Sequence, residues 1–355
     1  MNSTNNTIKS LDSWLKAYGY PFYLEILYIF ILTPLSVLTF ASNLVTYMVL
    51  RKKQFMTSEF FRYLRLYVLN GCIISLIIIT AFTSVTHQLF KFTNTYETIF
   101  YGCYIYFPLL SIFYFFSSLL EICVVFERLL FFLPRRFKRI KILSFKTFHI
   151  LMFIISIAIN IPAYFLFETA YVDIEYAKDS WFRLYFYGTT QFSNTAIGRA
   201  IRYVGYSIRD LLPLVVKVIL NIMTVNQVKK HLNKIRNEKI EFALKISTNK
   251  LHNKQDTVLI KCNYISRTDK NQTYIAVIMC VFSLLEHFFY ISSFSIYFFK
   301  LYESSNSLYY LALMSIILKH FSNFFILFKF NFLFRSQIKR NVKYFNSSVN
   351  CYFNW

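Results

Sequence analysis

Charge is scarce in this 355-residue chain: 16% of its residues are Asp, Glu, Lys or Arg, against 56% hydrophobic and 21% aromatic. That balance excludes an ordinary water-soluble globular domain and indicates a membrane protein. Acidic residues are scarcer still, 17 against 39 Lys and Arg, for a formal net charge of +22. In a soluble protein this excess would suggest nucleic acid as a partner. Here the cations sit in short connectors between apolar runs, so the excess is read as membrane orientation, the partner as the lipid bilayer, and nucleic acid is excluded. The six cysteines, Cys72, Cys103, Cys123, Cys262, Cys280 and Cys351, form no Cys-x-x-Cys pair and no cluster with histidine. A zinc site, a redox site and a disulfide scaffold are therefore not expected. His87, His149, His252, His287 and His320 assemble no acid/base or metal constellation, so neither an enzyme nor a bound cofactor or metal is expected. The opening MNSTNNTIKSLDSW lacks the apolar core of a cleavable signal peptide, which leaves the first membrane helix to serve as the signal.

What is present is a series of apolar runs, each long enough for the roughly 20 helical residues that cross a bilayer. They lie near 23–50, 63–84, 102–126, 146–167, 203–225, 273–299 and 307–330. None shows the period-2 alternation of a membrane barrel strand, and inside lipid only helices and closed barrels satisfy the backbone. The expected fold is an all-α membrane protein, a seven-transmembrane helix bundle over 23–333 with a short amphipathic eighth helix. A tail over 1–22 precedes it, a helix and tail over 334–355 follow, and no internal repeat is visible. RKK (51–53), PRRFKRIK (134–141), the basic connector 228–270 and FRSQIKR (334–340) all fall on one side. The opposite connectors are mixed or acidic, the longest carrying Glu168, Asp173, Glu175 and Asp179. This asymmetry places the N-terminus outside and the C-terminus in the cytoplasm of a multi-pass plasma-membrane protein. Asn2 and Asn5 are then glycosylation acceptors on the outer side, whereas Asn271 and Asn346 match the same pattern on the inner side. The connector 228–270 could extend the helices on either side of it before loosening into a loop.

Ionisable residues at membrane depth are costly unless paired or hydrated, so each invites a role. Glu127 and Arg128 stand at the cytoplasmic end of the third run, where an interfacial ion pair could simply anchor a helix end. Glu127-Arg128-Leu129 also matches the place of the Asp/Glu-Arg-Tyr motif, with Cys103 25 residues before the arginine. Ser42-Asn43-Leu44-Val45 in run one is similar to Gly-Asn-x-x-Val. Pro213 falls in run five. Asn323 to Arg335, NFFILFKFNFLFR, keeps the spacing of Asn-Pro-x-x-Tyr-x-x-x-Asn-x-x-Phe-Arg at Asn323, Asn331, Phe334 and Arg335. In this order, over about residues 23–340, the chain resembles a rhodopsin-like G-protein-coupled receptor, and its phrasing in runs five and seven resembles the invertebrate neuropeptide receptors. It departs from that pattern at Leu129, at Leu327 and Phe324 in run seven, in FSLLEHFF (282–289) of run six, and in lacking any cysteine from 124 to 261 to partner Cys103.

The resemblance implies a receptor that transmits binding of an extracellular ligand, most readily a peptide, to a cytoplasmic heterotrimeric G protein. Glu127, Arg128, Asn323 and Leu327 would form the coupling switch, with Glu127 holding Arg128 in the inactive state. Asn43, Asn70, Ser117, Glu286 and Lys319 would form a buried polar network in which Lys319 pairs with Glu286 and occupies the family's ion pocket. Snorkelling of Lys319 to water and pairing with Glu121 are the alternatives. Leu110, Tyr114, Phe289, Tyr290 and Tyr309 occupy positions that line the ligand pocket of the family. Leu110 offers no counter-ion for an amine, and Ile317 stands where opsins carry their retinal lysine. Cys351 is a palmitoylation candidate beside the amphipathic helix. Two other readings remain: a chemosensory receptor of the same fold, and a transporter or channel whose path would use Arg209, Asp210, Lys217, Glu286 and Lys319.

Overall fold

Three prolines shape three of the long helices. A proline within a helix cannot donate to the carbonyl four residues back, and its ring crowds that carbonyl. In the computed structural model, which describes residues 27–81, 96–133, 145–177, 180–248, 278–279, 281–289, 291–292 and 302–341, the turn before each of Pro34, Pro108 and Pro213 is wound wider. The N–H of Thr33 bonds the Tyr28 carbonyl, that of Phe107 bonds Gly102, and that of Leu212 bonds Ser207. This is the five-residue spacing of a π turn, which absorbs the clash by inserting one residue. The insertion shifts the facing of the side chains across it by about 100°, the angle of one helical residue.

The helices are α1 (Tyr28–Leu50), α2 (Glu59–Thr80), α3 (Gly102–Phe132, preceded by the short helix Tyr96–Tyr101) and α4 (Phe145–Asn160). Next comes α5, which runs from Ala196–Tyr206 through the π turn Ser207–Leu211 into Leu212–Thr248. Residues 278–279, 281–289 and 291–292 are helical (α6), followed by α7 (Tyr302–Phe330) and α8 (332–341). Among the described residues, five spans are long and apolar enough to cross a membrane: α1, α2, α3, Ala196–Lys230 of α5, and Tyr310–Phe330 of α7. The fourth apolar run, expected over 146–167, ends as a helix at Asn160, because Pro162 cannot continue the ladder.

The chain is thus a helical, multi-pass membrane protein, and α1 shows why most plainly. Its buried face carries Ser36, Thr39, Asn43 and Thr46, while Val37, Leu38, Val45 and Met48 face outward. Such a helix is stable only where the surroundings are as apolar as its outer face. The buried hydroxyls bond carbonyls one turn back, Ser36 to Leu32 at 2.7 Å and Thr46 to Ser42 at 2.8 Å, which satisfies them without a partner helix.

Between α4 and α5 the chain forms an antiparallel hairpin, β1 (Phe167–Ala177) and β2 (Ser180–Thr189), with Phe167 opposite Thr189 and Asp173 opposite Arg183. It is the departure from an all-helical expectation among the described residues. Its sequence carries a reason: Val172 and Ile174 alternate with Asp173 and Glu175, the period of a strand. The hairpin packs against Tyr96–Tyr101 and the first turn of α3, which defines a hairpin end of the molecule. The opposite end carries Arg51, Lys52 and Lys53 and is termed the basic end.

Among the described residues, two apolar cores lie along the helices. At the hairpin end Tyr28, Ile74, Tyr106, Leu110, Tyr310 and Ile317 pack together; at the basic end Leu64, Val68, Val124, Met152, Leu327 and Phe334 do so. On α1, α2, α3 and α7 the residues between these cores are buried and polar: Asn43, Asn70, Ser117, Glu121, Lys319, His320 and Asn323. A polar layer therefore sits at mid-height between two apolar plugs.

Candidate functional site

Pro213, Lys217, Asn221 and Thr224 follow one another on a single buried face of α5, as positions about one turn apart must. That face carries a lysine into the interior, and an isolated ammonium there would be prohibitively costly. Lys217, 1% exposed, is surrounded by acceptors. Its Nζ donates to Glu121 Oε2 of α3 at 3.1 Å, to His287 Nε2 of α6 at 2.8 Å, and to the Ser283 hydroxyl of α6. An ammonium has three N–H donors, and all three are used. Ser283 Oγ in turn donates a hydrogen bond to Glu121 Oε2 at 3.1 Å.

Because lysine can only donate, His287 Nε2 must accept, which leaves the ring proton on Nδ1. Nδ1 lies 2.9 Å from the Tyr114 hydroxyl of α3, and that hydroxyl in turn faces the Asp210 carboxylate of α5. Asp210 is held by Arg209, whose Nη2 donates to Oδ2 at 2.9 Å, while Arg209 Nη1 reaches Ser111 Oγ at 3.4 Å. Both residues belong to the π turn before Pro213 and are buried.

A second ammonium enters from α7. Lys319 contacts the Glu286 carboxylate of α6, lies 3.5 Å from the same Glu121 oxygen that Lys217 uses, and sits 5.9 Å from the centre of the Tyr67 ring of α2. The group at mid-height thus holds two ammoniums and two carboxylates from α3, α5, α6 and α7, all at most 1% exposed. Each contact at 3–4 Å is worth about 5 kcal/mol at an effective dielectric near 20, which offsets desolvation that a single buried charge could not overcome.

Around this group the polar layer is tightly packed. Asn70 Nδ2 donates to the Phe113 carbonyl at 2.9 Å, and Ser117 Oγ lies 3.4 Å from His320 Nε2. The His320 ring rests on Tyr67 with centroids 4.9 Å apart, and Tyr67 faces Asn323. Gly71 permits this approach, since a Cβ there would stand 2.6 Å from His320 Nδ1 and 3.0 Å from Asn43 Nδ2.

At the basic end Arg128 is 3% exposed, and its guanidinium lies 3.7 Å from the centre of the Phe60 ring of α2. It therefore faces neither lipid nor solvent. Glu127 is half-buried beside it. Leu327 belongs to the basic-end core, and Leu110 to the hairpin-end core. Phe289 is half-buried against Phe288, with ring centroids 5.6 Å apart. Cys103 is a buried free thiol, as are Cys72 and Cys123. Asn2, Asn5, Tyr290, Cys351 and the side chain of Tyr309 lie outside the described residues. The structure brings Lys319, Glu286 and Glu121 together, and adds His287, Ser283, His320 and Tyr67, which sequence reasoning did not place. The available signal was the adjacency of Glu286 to His287 and of Lys319 to His320, each putting two polar groups at one depth of an apolar helix. No protein-family model matches this chain, and no curated protein matches it in sequence.

Proposed function

We propose that this chain is a receptor of seven transmembrane helices that couples an extracellular ligand, most readily a peptide, to a heterotrimeric G protein. The observation that carries the reading is the placement of Arg128: a buried cation at the basic end of α3, stacked on Phe60, among connectors rich in Lys and Arg. A guanidinium held in this way against an aromatic face becomes available for capture once neighbouring helices part. Support for a ligand-driven transition comes from the layered interior, in which a charged group between two apolar cores can exchange partners without unfolding the helices. Signalling would be a population shift between two helix packings, with no bond chemistry. On this reading the hairpin end is extracellular, its Glu168, Asp173 and Glu175 suit a cationic peptide, and the basic end meets both the G protein and anionic lipid.

Nucleotide exchange on a co-expressed G protein, challenged with a library of neuropeptides, is the direct test. Arg128→Ala should abolish exchange at undiminished surface level; exchange that persists in this variant refutes the assignment. The buried chain from Arg209 to Lys319 favours a second reading, a transporter or channel. Agonist-independent ion flux without nucleotide exchange would select it. An epitope tag at residue 1, stained without permeabilisation, tests the outward N-terminus that the receptor reading requires.

A further inference from the structure

Which helix does the charged layer restrain? Glu121 on α3 is the acceptor shared by Lys217 of α5 and Lys319 of α7. Among the described residues, the remaining acceptors of both ammoniums come from one helix, α6: Ser283 and His287 for Lys217, and Glu286 for Lys319. If α6 moves away, Lys217 loses two of its three acceptors, Glu286 is left as a lone buried carboxylate, and two ammoniums must share Glu121. Moving α3 or α7 alone breaks fewer of the ammonium contacts, and moving α5 leaves Lys319 with both of its carboxylates. Charge balance is thus complete only when α6 is seated.

We propose that Lys217 and Glu121 form an electrostatic latch that holds α6 against α5, and that releasing this latch is the controlled step of the transition. The inference rests on the receptor reading for its purpose, but the latch itself is a statement about helix positions. His287 is the positioning residue of the latch. It ties the Lys217 ammonium to Tyr114, and through it to the Arg209 and Asp210 pair at the hairpin end. The latch is therefore joined through His287 and Tyr114 to the hairpin-end core, the side from which a ligand would arrive.

The test measures the distance between spin labels, carried on unnatural amino acids at the exposed Ile222 of α5 and Val281 of α6, in the full chain in lipid nanodiscs. Lys217→Met/Glu121→Gln removes the latch while leaving Lys319 and Glu286 as a balanced pair, so it preserves neutrality. The expected result is a shift of the distance distribution from one short population to a majority of longer distances, with at least a threefold rise in basal nucleotide exchange. A wild-type distribution in this variant, at normal surface level, overturns the proposal. If the variant fails to reach the surface, His287→Leu removes one α6 acceptor with no change in charge: a longer population supports the latch, and an unchanged one overturns it. His287→Gln, whose amide oxygen can still accept from Lys217, should restore the short distance, which a merely space-filling role would not predict. Longer distances without any nucleotide exchange uphold the latch and refute the receptor reading.

Discussion

Replacing Lys319 by Met removes one of two ammoniums from the mid-height group and leaves Glu121 and Glu286 with Lys217 alone. Breaking a buried pair by deleting one partner typically costs about 3–5 kcal/mol, or roughly two to three and a half decades in the folded population at about 1.4 kcal/mol per decade. Glu286→Gln should cost a similar amount, because Lys217 and Lys319 would then compete for Glu121, which lies 3.1 and 3.5 Å from them. The double variant Lys319→Met/Glu286→Gln leaves one charge of each sign, Lys217 with Glu121. It should therefore recover most of the loss and fall within about 1–2 kcal/mol of the parent, since replacing a whole buried pair by neutral groups is often nearly without cost. A plain exchange of the two charges should do worse than this neutral pair. It would set a carboxylate at position 319 facing Glu121, whose Oε2 lies 3.5 Å from the Lys319 Nζ, a repulsion on the order of 4 kcal/mol at about 4 Å and an effective dielectric near 20. Surface staining of a tagged chain and the thermal midpoint in detergent, measured for both singles, the neutral double and the exchange, form a complete cycle. A neutral double no better than the worse single, or an exchange that matches the parent, would refute this account of the charged layer.

Other consequences are equally direct. Gly71→Ala should lower the thermal midpoint by the equivalent of about 1–3 kcal/mol, the usual cost of overpacking, because its Cβ meets His320 Nδ1 at 2.6 Å; an unchanged midpoint would show that α1, α2 and α7 approach less closely. Phe60→Leu should remove the cation–π contact to Arg128, worth about 0.5–2 kcal/mol, and raise basal nucleotide exchange in the same assay that tests Arg128→Ala. Reduction with dithiothreitol should leave the thermal midpoint unchanged, and peptide mapping by mass spectrometry should recover Cys103 as a free thiol; a Cys103 disulfide would contradict the packing at the start of α3.

Periodicity and composition make much of this protein legible in its sequence alone. The apolar runs of α1, α2, α3 and α7 are long enough to cross lipid, and helix is the state that satisfies their backbone there. The all-helical expectation passes over the alternation of Asp173 and Glu175 with Val172 and Ile174, because that connector is read for its charge, and over the turns that widen before Pro34, Pro108 and Pro213. The polar residues Asn43, Glu121, Glu286 and Lys319 stand out because a bilayer tolerates so few of them. All of these signals are local: length, period, or the chemistry of a single side chain in an apolar stretch.

Partner choice is not local, and there the sequence leaves several answers open. Lys319 had Glu286, Glu121 and water as possible partners, and the helices settle the question by bringing residues 198 positions apart to 3.5 Å. The same holds for Lys217, whose three acceptors come from residues 66, 70 and 96 positions away. No pattern along one helix specifies which face of another it will meet; that depends on how the π turns rotate α3 and α5 and on how closely Gly71 lets α1 and α7 approach. The kinds of residue inside this protein were set by the chain, whereas the neutral group of two ammoniums and two carboxylates exists only because four helices converge at one depth.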